Sequence, residues 1–229
     1  MEVPGWPGHR PGQFAMLSLD PRAQRHDPLL PRPMAVYRGE HERLEFRFKV
    51  VGRGTALLAT LSEGTPIGVV GPLGNGFREP EGRAILVGGG TGIASLYELA
   101  ARSTADVQVL LGGRTRGEIL GLEDFQLLPV DLALTTEDGS LGEQGRVTDL
   151  LKPSPGDEIY ACGPKEMMKR AWELARGGGA RCWVSLETHM ACGFGICLGC
   201  AVKTTAGFRY ACTHGPVFDA ADLDWDALP

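Results

Sequence analysis

The chain has no apolar run near the roughly 18 residues that a membrane helix needs, and its N-terminus lacks the basic-then-apolar order of an export signal. Basic residues are outnumbered, 23 to 28, and the net charge of −5 argues against nucleic acid as the main partner. There is no internal repeat and no low-complexity tail. Two familiar signatures are missing as well. No G-x-G-x-x-G fingerprint announces a dinucleotide site, and no pair of C-x2-C knuckles announces a zinc ribbon. These absences leave a globular protein with neither a membrane span nor a nucleic-acid partner, at a length that suits two compact units and a small appendage.

Glycine is plentiful, at 33, and the six cysteines are unevenly placed. Cys192, Cys197, Cys200 and Cys212 follow the spacing C-x4-C-x2-C-x11-C. Three thiols on one loop and a fourth downstream is the plant-type arrangement for a 2Fe-2S cluster, with structural zinc as the alternative. Gly193, Gly195 and Gly199 lie among the three. Residues without Cβ let backbone N–H groups approach bridging sulfides. The other two cysteines, Cys162 and Cys182, lie in apolar runs, which fits a reducing, cytoplasmic setting better than a disulfide framework.

Short strand-like runs fill the first third. Gln13–Leu19 is one, Leu44–Val51 alternates Leu44, Phe46, Phe48 and Val50, and Ile67–Val70 is another. A small antiparallel barrel or sandwich is expected over residues 1–80. After the polar turn Glu79–Arg83 the pattern becomes strand, glycine turn, helix, repeated over 81–186. That is the mark of a Rossmann-like parallel sheet with crossover helices, one of them expected over Ile93–Arg102. Residues 187–229 form the cluster segment.

Gly88, Gly89, Gly90, Thr91 and Gly92 form a turn between a buried strand and a helix, able to bring backbone N–H groups to a phosphate. The bland alternative is a tight turn, and no acidic residue closes the second strand at Leu111. Cys162, Gly163 and Pro164 end a later strand on the same sheet edge, which strengthens the dinucleotide reading. Arg114 and Arg116 stand where a 2′-phosphate would arrive, though exposed arginines are more often solvated charge. The choice between NADH and NADPH stays open. In the first third, Arg32–Ala35 is a rigid extended segment with a cation at its head and the turn Gly52–Thr55 a plausible pyrophosphate cradle, but on composition alone they read as a strand end and a turn.

The stretches RPMA, KVVGRGT, GPLGNGF, ILVGGGTGIA, YACGPKEMM, MACGFGICLGC and YACTHGPVFDAADLDW, in this order, resemble the electron-transfer subunit of type B dihydroorotate dehydrogenase. That family belongs to the ferredoxin–NADP reductase superfamily. The resemblance runs from Pro11 almost to the end and is most specific at the cluster loop. It implies an N-terminal antiparallel flavin-binding β-barrel, a nicotinamide domain and a C-terminal 2Fe-2S segment. It implies FAD held by Arg32, Pro33, Met34 and Ala35, by Arg47, Phe48 and Lys49, and by Gly54 and Thr55 at the pyrophosphate. It implies NAD at Gly88–Gly92 and Cys162–Pro164, and the cluster on Cys192, Cys197, Cys200 and Cys212. The expected partner is a separate FMN-bearing catalytic subunit of pyrimidine biosynthesis, in a heterotetramer of two subunits of each kind. Electrons would pass from that FMN through the cluster and FAD to NAD+, with no acid–base pair required.

Two departures stand out. Ala35 replaces the usual Ser or Thr, removing a side-chain hydrogen bond near the flavin, and little sequence precedes Gln13, so an edge strand of the barrel is expected to be missing. Three other readings compete. One is the small subunit of an electron-bifurcating or sulfide-type NAD(P)H–ferredoxin oxidoreductase, where the first cluster ligand is often Asp rather than a cysteine such as Cys192. The others are a stand-alone reductase and a zinc-bound regulatory module.

Overall fold

The computed structural model describes residues 1–19 and 27–228. The first part is built from β1 (Phe14–Ser18), β2 (Arg32–Ala35), β3 (Arg38–Glu40), β4 (Arg43–Glu45) and β5 (Gly68–Leu73), with helix α1 (Arg53–Ala59) before β5. β2, β1 and β5 form an antiparallel sheet in that order, and β3 and β4 form a hairpin. The residues ahead of β1 close onto the hairpin. Glu2 bridges Arg43, and the Leu44 N–H donates to the Met1 carbonyl at 2.9 Å. The first four residues of β1, Phe-Ala-Met-Leu, are all buried, because the strand is covered on both faces rather than one.

The second part carries β6 (Ala84–Gly89), α2 (Tyr97–Arg102), β7 (Val107–Gly113), α3 (Leu122–Phe125), β8 (Asp131–Thr136), β9 (Glu143–Gln144), β10 (Glu158–Cys162), α4 (Lys165–Gly178) and β11 (Arg181–Ser185). The tail adds the hairpin β12 (Ala201–Thr204) and β13 (Gly207–Tyr210), then β14 (Val217–Asp219). Seven strands form one sheet, ordered β14-β11-β10-β6-β7-β8-β9. Every pairing in it is parallel except β11 with β14. The chain winds outward from β6 to β8, returns to β10 beside β6, and winds the other way. A crevice opens at that reversal, at the carboxyl ends of the strands. The central strands β6 and β10 are buried throughout, as apolar runs covered on both faces must be. Antiparallel strands followed by a Rossmann-like parallel sheet is the fold class expected.

Three details differ from the periodicity reading. The alternating run at Leu44–Val51 is a strand only to Glu45, and residues 46–52 have neither helix nor ladder before α1. The alternation holds as far as Phe48, with Leu44 buried, Phe46 and Phe48 half-buried, and Glu45 and Arg47 exposed, and then breaks, since Val50 is exposed and Lys49 half-buried. What is missing is a neighbouring strand. Arg47 and Lys49 reach instead to carboxylates of the second part, Asp124 and Glu118. The expected helix over Ile93–Arg102 is split into a 3-10 turn at Gly90–Ser95 and α2, the tighter winding belonging to the glycine-rich end. Lastly, β14 comes from the cysteine-bearing tail yet completes the edge of the parallel sheet. Among the described residues no helix is long and apolar enough to cross a membrane.

Candidate functional site

A cleft of about 360 Å³ runs between the two parts. Arg32, Pro33, Met34 and Ala35 of β2 line it, as do Arg47, Phe48, Lys49 and Thr55. Among the described residues β2 is an edge strand, its outward backbone groups without a strand partner. Gly54 lies beneath rather than in the wall. A Cβ on it would collide with the Arg32 guanidinium, so the missing side chain is what lets Arg32 lie across the start of α1. The Thr55 hydroxyl is used internally: it donates to the Gly52 carbonyl at 2.9 Å and accepts from the Val51 and Gly52 N–H groups. The opposite wall brings Thr91, Ser185, Glu187, Thr188 and Met190. Thr188 Oγ1 is a buried oxygen with no hydrogen-bond partner, an orphan that a bound group would satisfy. Its surroundings push the Glu187 carboxyl above the usual carboxylate range, and the Thr91 hydroxyl donates to it at 3.3 Å. Apolar walls, one cation over a bare glycine and an orphan hydroxyl fit a flavin nucleotide.

The two glycine turns meet at the switch point. A Cβ on Gly92 would fall on the Cys162 carbonyl and lie 2.5 Å from the Gly163 nitrogen, and one on Gly163 would lie 2.8 Å from the Gly89 carbonyl oxygen. Beside this junction a second cleft, about 470 Å³, is lined by Gly89, Gly90 and Pro164 together with Arg114, Glu118, Glu137 and Arg146. Gly88 and Gly92 are buried under the turn, and Thr91 faces the first cleft instead. Cys162 is buried, its thiol donates to the Ser185 carbonyl at 3.3 Å, and burial pushes it up to about 12, so it acts here as an inert support.

Glu118 stands four residues after Arg114 but is not marked by any motif in the sequence. It sits on a 3-10 turn after β7 and folds back, accepting from the Arg114 N–H at 3.0 Å and from the Arg114 guanidinium at 2.7 Å. Those bonds bring its carboxyl down to about 2. Asp124 was equally unmarked. It accepts from Tyr37 Oη at 2.7 Å and pairs with Arg38 at 2.9 Å and Arg47 at 2.5 Å, tying the start of the β3–β4 hairpin and the cleft-lining Arg47 to α3. Arg116 only donates its backbone N–H to Ser140 Oγ, and Asp138-Gly139-Ser140 is a surface turn.

The cysteine loop spans residues 191–200 without regular structure, and Gly193 and Gly195 take φ of 85° and 89°. Cβ on Gly193 would lie 2.5 Å from Met16 Cγ, so the loop is pressed onto β1. The thiols are gathered as two pairs. Cys200 and Cys212 are buried with their sulfurs 3.2 Å apart, and the Cys197 N–H donates to Cys192 Sγ at 3.5 Å. Backbone N–H groups of Cys197 and Phe194 bring the Cys192 thiol down to about 6, while burial raises Cys212. A two-iron cluster takes two thiolates at each iron. The paired donors therefore fit the cluster. Around them Phe194, Ile196 and Leu198 are half or more exposed.

Residues 187–224 match the iron-sulfur cluster binding domain of dihydroorotate dehydrogenase B. The dihydroorotate dehydrogenase B (NAD(+)) electron transfer subunit of Clostridium acetobutylicum is 38% identical over 93% of this chain and 86% of its own length. The chain belongs to this family. The corresponding subunit of Caldanaerobacter subterraneus is 39% identical over 95% of this chain and 89% of its own. Among solved structures, that of an NADH-dependent reduced ferredoxin–NADP oxidoreductase, described for flavin-based electron bifurcation, superposes with a TM-score of 0.83 at 37% identity. It spans 96% of this chain and 81% of that one. A ferredoxin–NADP+ reductase from Neisseria gonorrhoeae with bound FAD and NADP shares the fold alone, at TM-score 0.57 and 18% identity over 75% of this chain and 81% of that one.

Proposed function

We propose that this chain is the electron-transfer subunit that takes electrons from the FMN of a separate dihydroorotate-oxidising subunit and delivers them to NAD+. The observation that carries the reading is one cleft lined at once by β2, by Thr91 of the glycine turn, and by Met190, two residues before Cys192. A flavin there exchanges single electrons with a 2Fe-2S cluster and a hydride with nicotinamide, so it belongs between the other two. The chain's residues hold and align. Arg32 receives the diphosphate, the free edge of β2 offers backbone hydrogen bonds, and Thr188 completes its own. Gly89, Gly90 and Pro164 seat the nucleotide, with Cys162 and Gly163 supporting them. Cys192 with Cys197, and Cys200 with Cys212, supply the thiolates. The exposed Phe194, Ile196 and Leu198 give the loop an apolar face for the partner subunit. The division of labour follows residues 1–80, 81–186 and 187–229, the subunit works in the cytoplasm, and the assembly is a heterotetramer.

The test is a visible spectrum of anaerobically purified protein before and after NADH, followed by dihydroorotate-dependent NADH formation with the FMN subunit added. Flavin and cluster bands bleached by NADH, and turnover only with the partner, are expected. A colourless protein with one zinc refutes the reading. Bleaching without dihydroorotate turnover moves it to the ferredoxin-linked reductase that the 37%-identical structure represents.

A further inference from the structure

The structure assigns Glu118 as the residue that sets the nucleotide preference, by keeping Arg114 from serving as a receptor for a 2′-phosphate. The inference rests on the second cleft being the nicotinamide nucleotide site. In sheets of this kind, what stands at the carboxyl end of the second strand decides between a ribose 2′-hydroxyl and its phosphate: a carboxylate for the first, an arginine for the second. β7 ends in Gly112-Gly113 and Arg114 follows at once, so sequence alone offers the arginine. Glu118 reverses that offer in space. Its two oxygens accept from the Arg114 N–H at 3.0 Å, from Nε at 3.2 and 3.3 Å, and from the guanidinium nitrogen at 2.7 Å. Lys49 Nζ lies 3.4 Å from the same carboxylate and steadies it from the first part of the molecule. Glu118 is largely shielded, whereas Arg114 stands in solvent with its donor fork turned onto it. Glu137 adds a second carboxylate to the same wall.

The other cations of this cleft leave the assignment intact. Arg170 pairs with Glu173 at 3.3 Å. Arg146 has no ion-pair partner among the described residues and remains for the diphosphate, which both nucleotides share. A 2′-phosphate would have to break the Arg114–Glu118 fork and lie beside an uncompensated carboxylate, whereas a 2′-hydroxyl can donate to Glu118 as it stands.

Calorimetric titration of the purified, flavin- and cluster-loaded protein with NAD+ and with NADP+ tests this, with variants Glu118→Gln, Arg114→Ala and the double variant. Wild type is expected to favour NAD+. Glu118→Gln is expected to tighten NADP+ by roughly tenfold while changing NAD+ little, the worth of about one charge-assisted hydrogen bond. Arg114→Ala in the same chain is expected to cancel that improvement. Arg114→Ala alone is expected to leave NADP+ as weak as before, which tests the idea even if Glu118→Gln folds poorly. An unchanged NADP+ to NAD+ ratio in Glu118→Gln, or tighter NADP+ from Arg114→Ala alone, overturns the assignment and leaves the nucleotide site standing. Failure of both nucleotides to bind wild type removes the site itself, and the assignment with it.

Discussion

At the nucleotide turn, backbone lies on backbone, with Gly92 against Cys162 and Gly163, and Gly163 against Gly89. At the flavin end a side chain lies on backbone, with Arg32 draped over Gly54. Their charges differ in the same sense. Arg114 is closed onto Glu118, while Arg32 bonds only to the carbonyls of Leu30 and Pro31 among the described residues. On the proposed function the nucleotide site empties at every turnover and has to keep its shape and charge without help from its ligand. A resident cofactor in the first cleft would supply both, and would account for an Arg32 without an ion-pair partner among the described residues and for the orphan Thr188 hydroxyl there.

The largest expected effect comes from forcing the backbone junction apart. Gly92→Ala places a methyl on the Cys162 carbonyl, where no side chain can swing aside. Overpacking of this kind costs about 1–3 kcal/mol, a melting shift of roughly 3–10 °C in a chain this long, and calorimetry should show nucleotide binding lost. Normal NAD+ binding by this variant would mean that the turn is pliable and the contrast false. Gly54→Ala should behave differently, because the atom it meets is the end of a flexible arm. Thermal stability should change little and apoprotein affinity for FAD should fall by about tenfold or more. Arg32→Ala should do the same, with the double variant no worse than either single one.

Thr188→Val sharpens the contrast further. Removing an unsatisfied buried oxygen should leave the apoprotein as stable as before or slightly more so, while FAD binding weakens by roughly three- to tenfold. A loss of apoprotein stability would show that the hydroxyl already has a partner. The smallest effect is on acid stability. The Glu118 carboxyl lies at about 2, below its ordinary value of 4.5. A lowered carboxyl contributes stability above the ordinary value and loses it as pH falls through the range down to about 2. The melting difference between wild type and Glu118→Gln should therefore be flat from about pH 8 to 5 and shrink below 4.5. Solvent screening keeps it to no more than about 2 °C. A difference that grows on acidification contradicts the ion pair.

The junction of Gly88–Gly92 with Cys162–Pro164 was legible because two glycine turns at the ends of parallel strands have only one edge of the sheet to share. The cysteine spacing was legible because it is local. Residues 46–52 misled because alternation reports an extended backbone with two unlike faces, and pairing also needs a neighbour that pattern does not show. Glu118 and Asp124 were invisible for a related reason. Asp124 acts on Arg47, which only folding brings near, and Glu118, though just four residues after Arg114, stands in a loop where that spacing alone does not tell a pair from plain solvated charge.

β14 has a meaning apart from topology. It follows Cys212 closely, and it covers Trp183, Val184 and Ser185 on what would otherwise be an open margin of β11. Beyond it Trp225 stacks on Trp172 of α4 at 5.7 Å. Cys212, buried with its sulfur 3.2 Å from Cys200, lies five residues before the start of β14, so the packing of these two thiols and the closing of the sheet margin are tied through one short stretch of chain. A substitution that pulls the two thiols apart is therefore also a pull on the strand that keeps this edge from pairing with another chain.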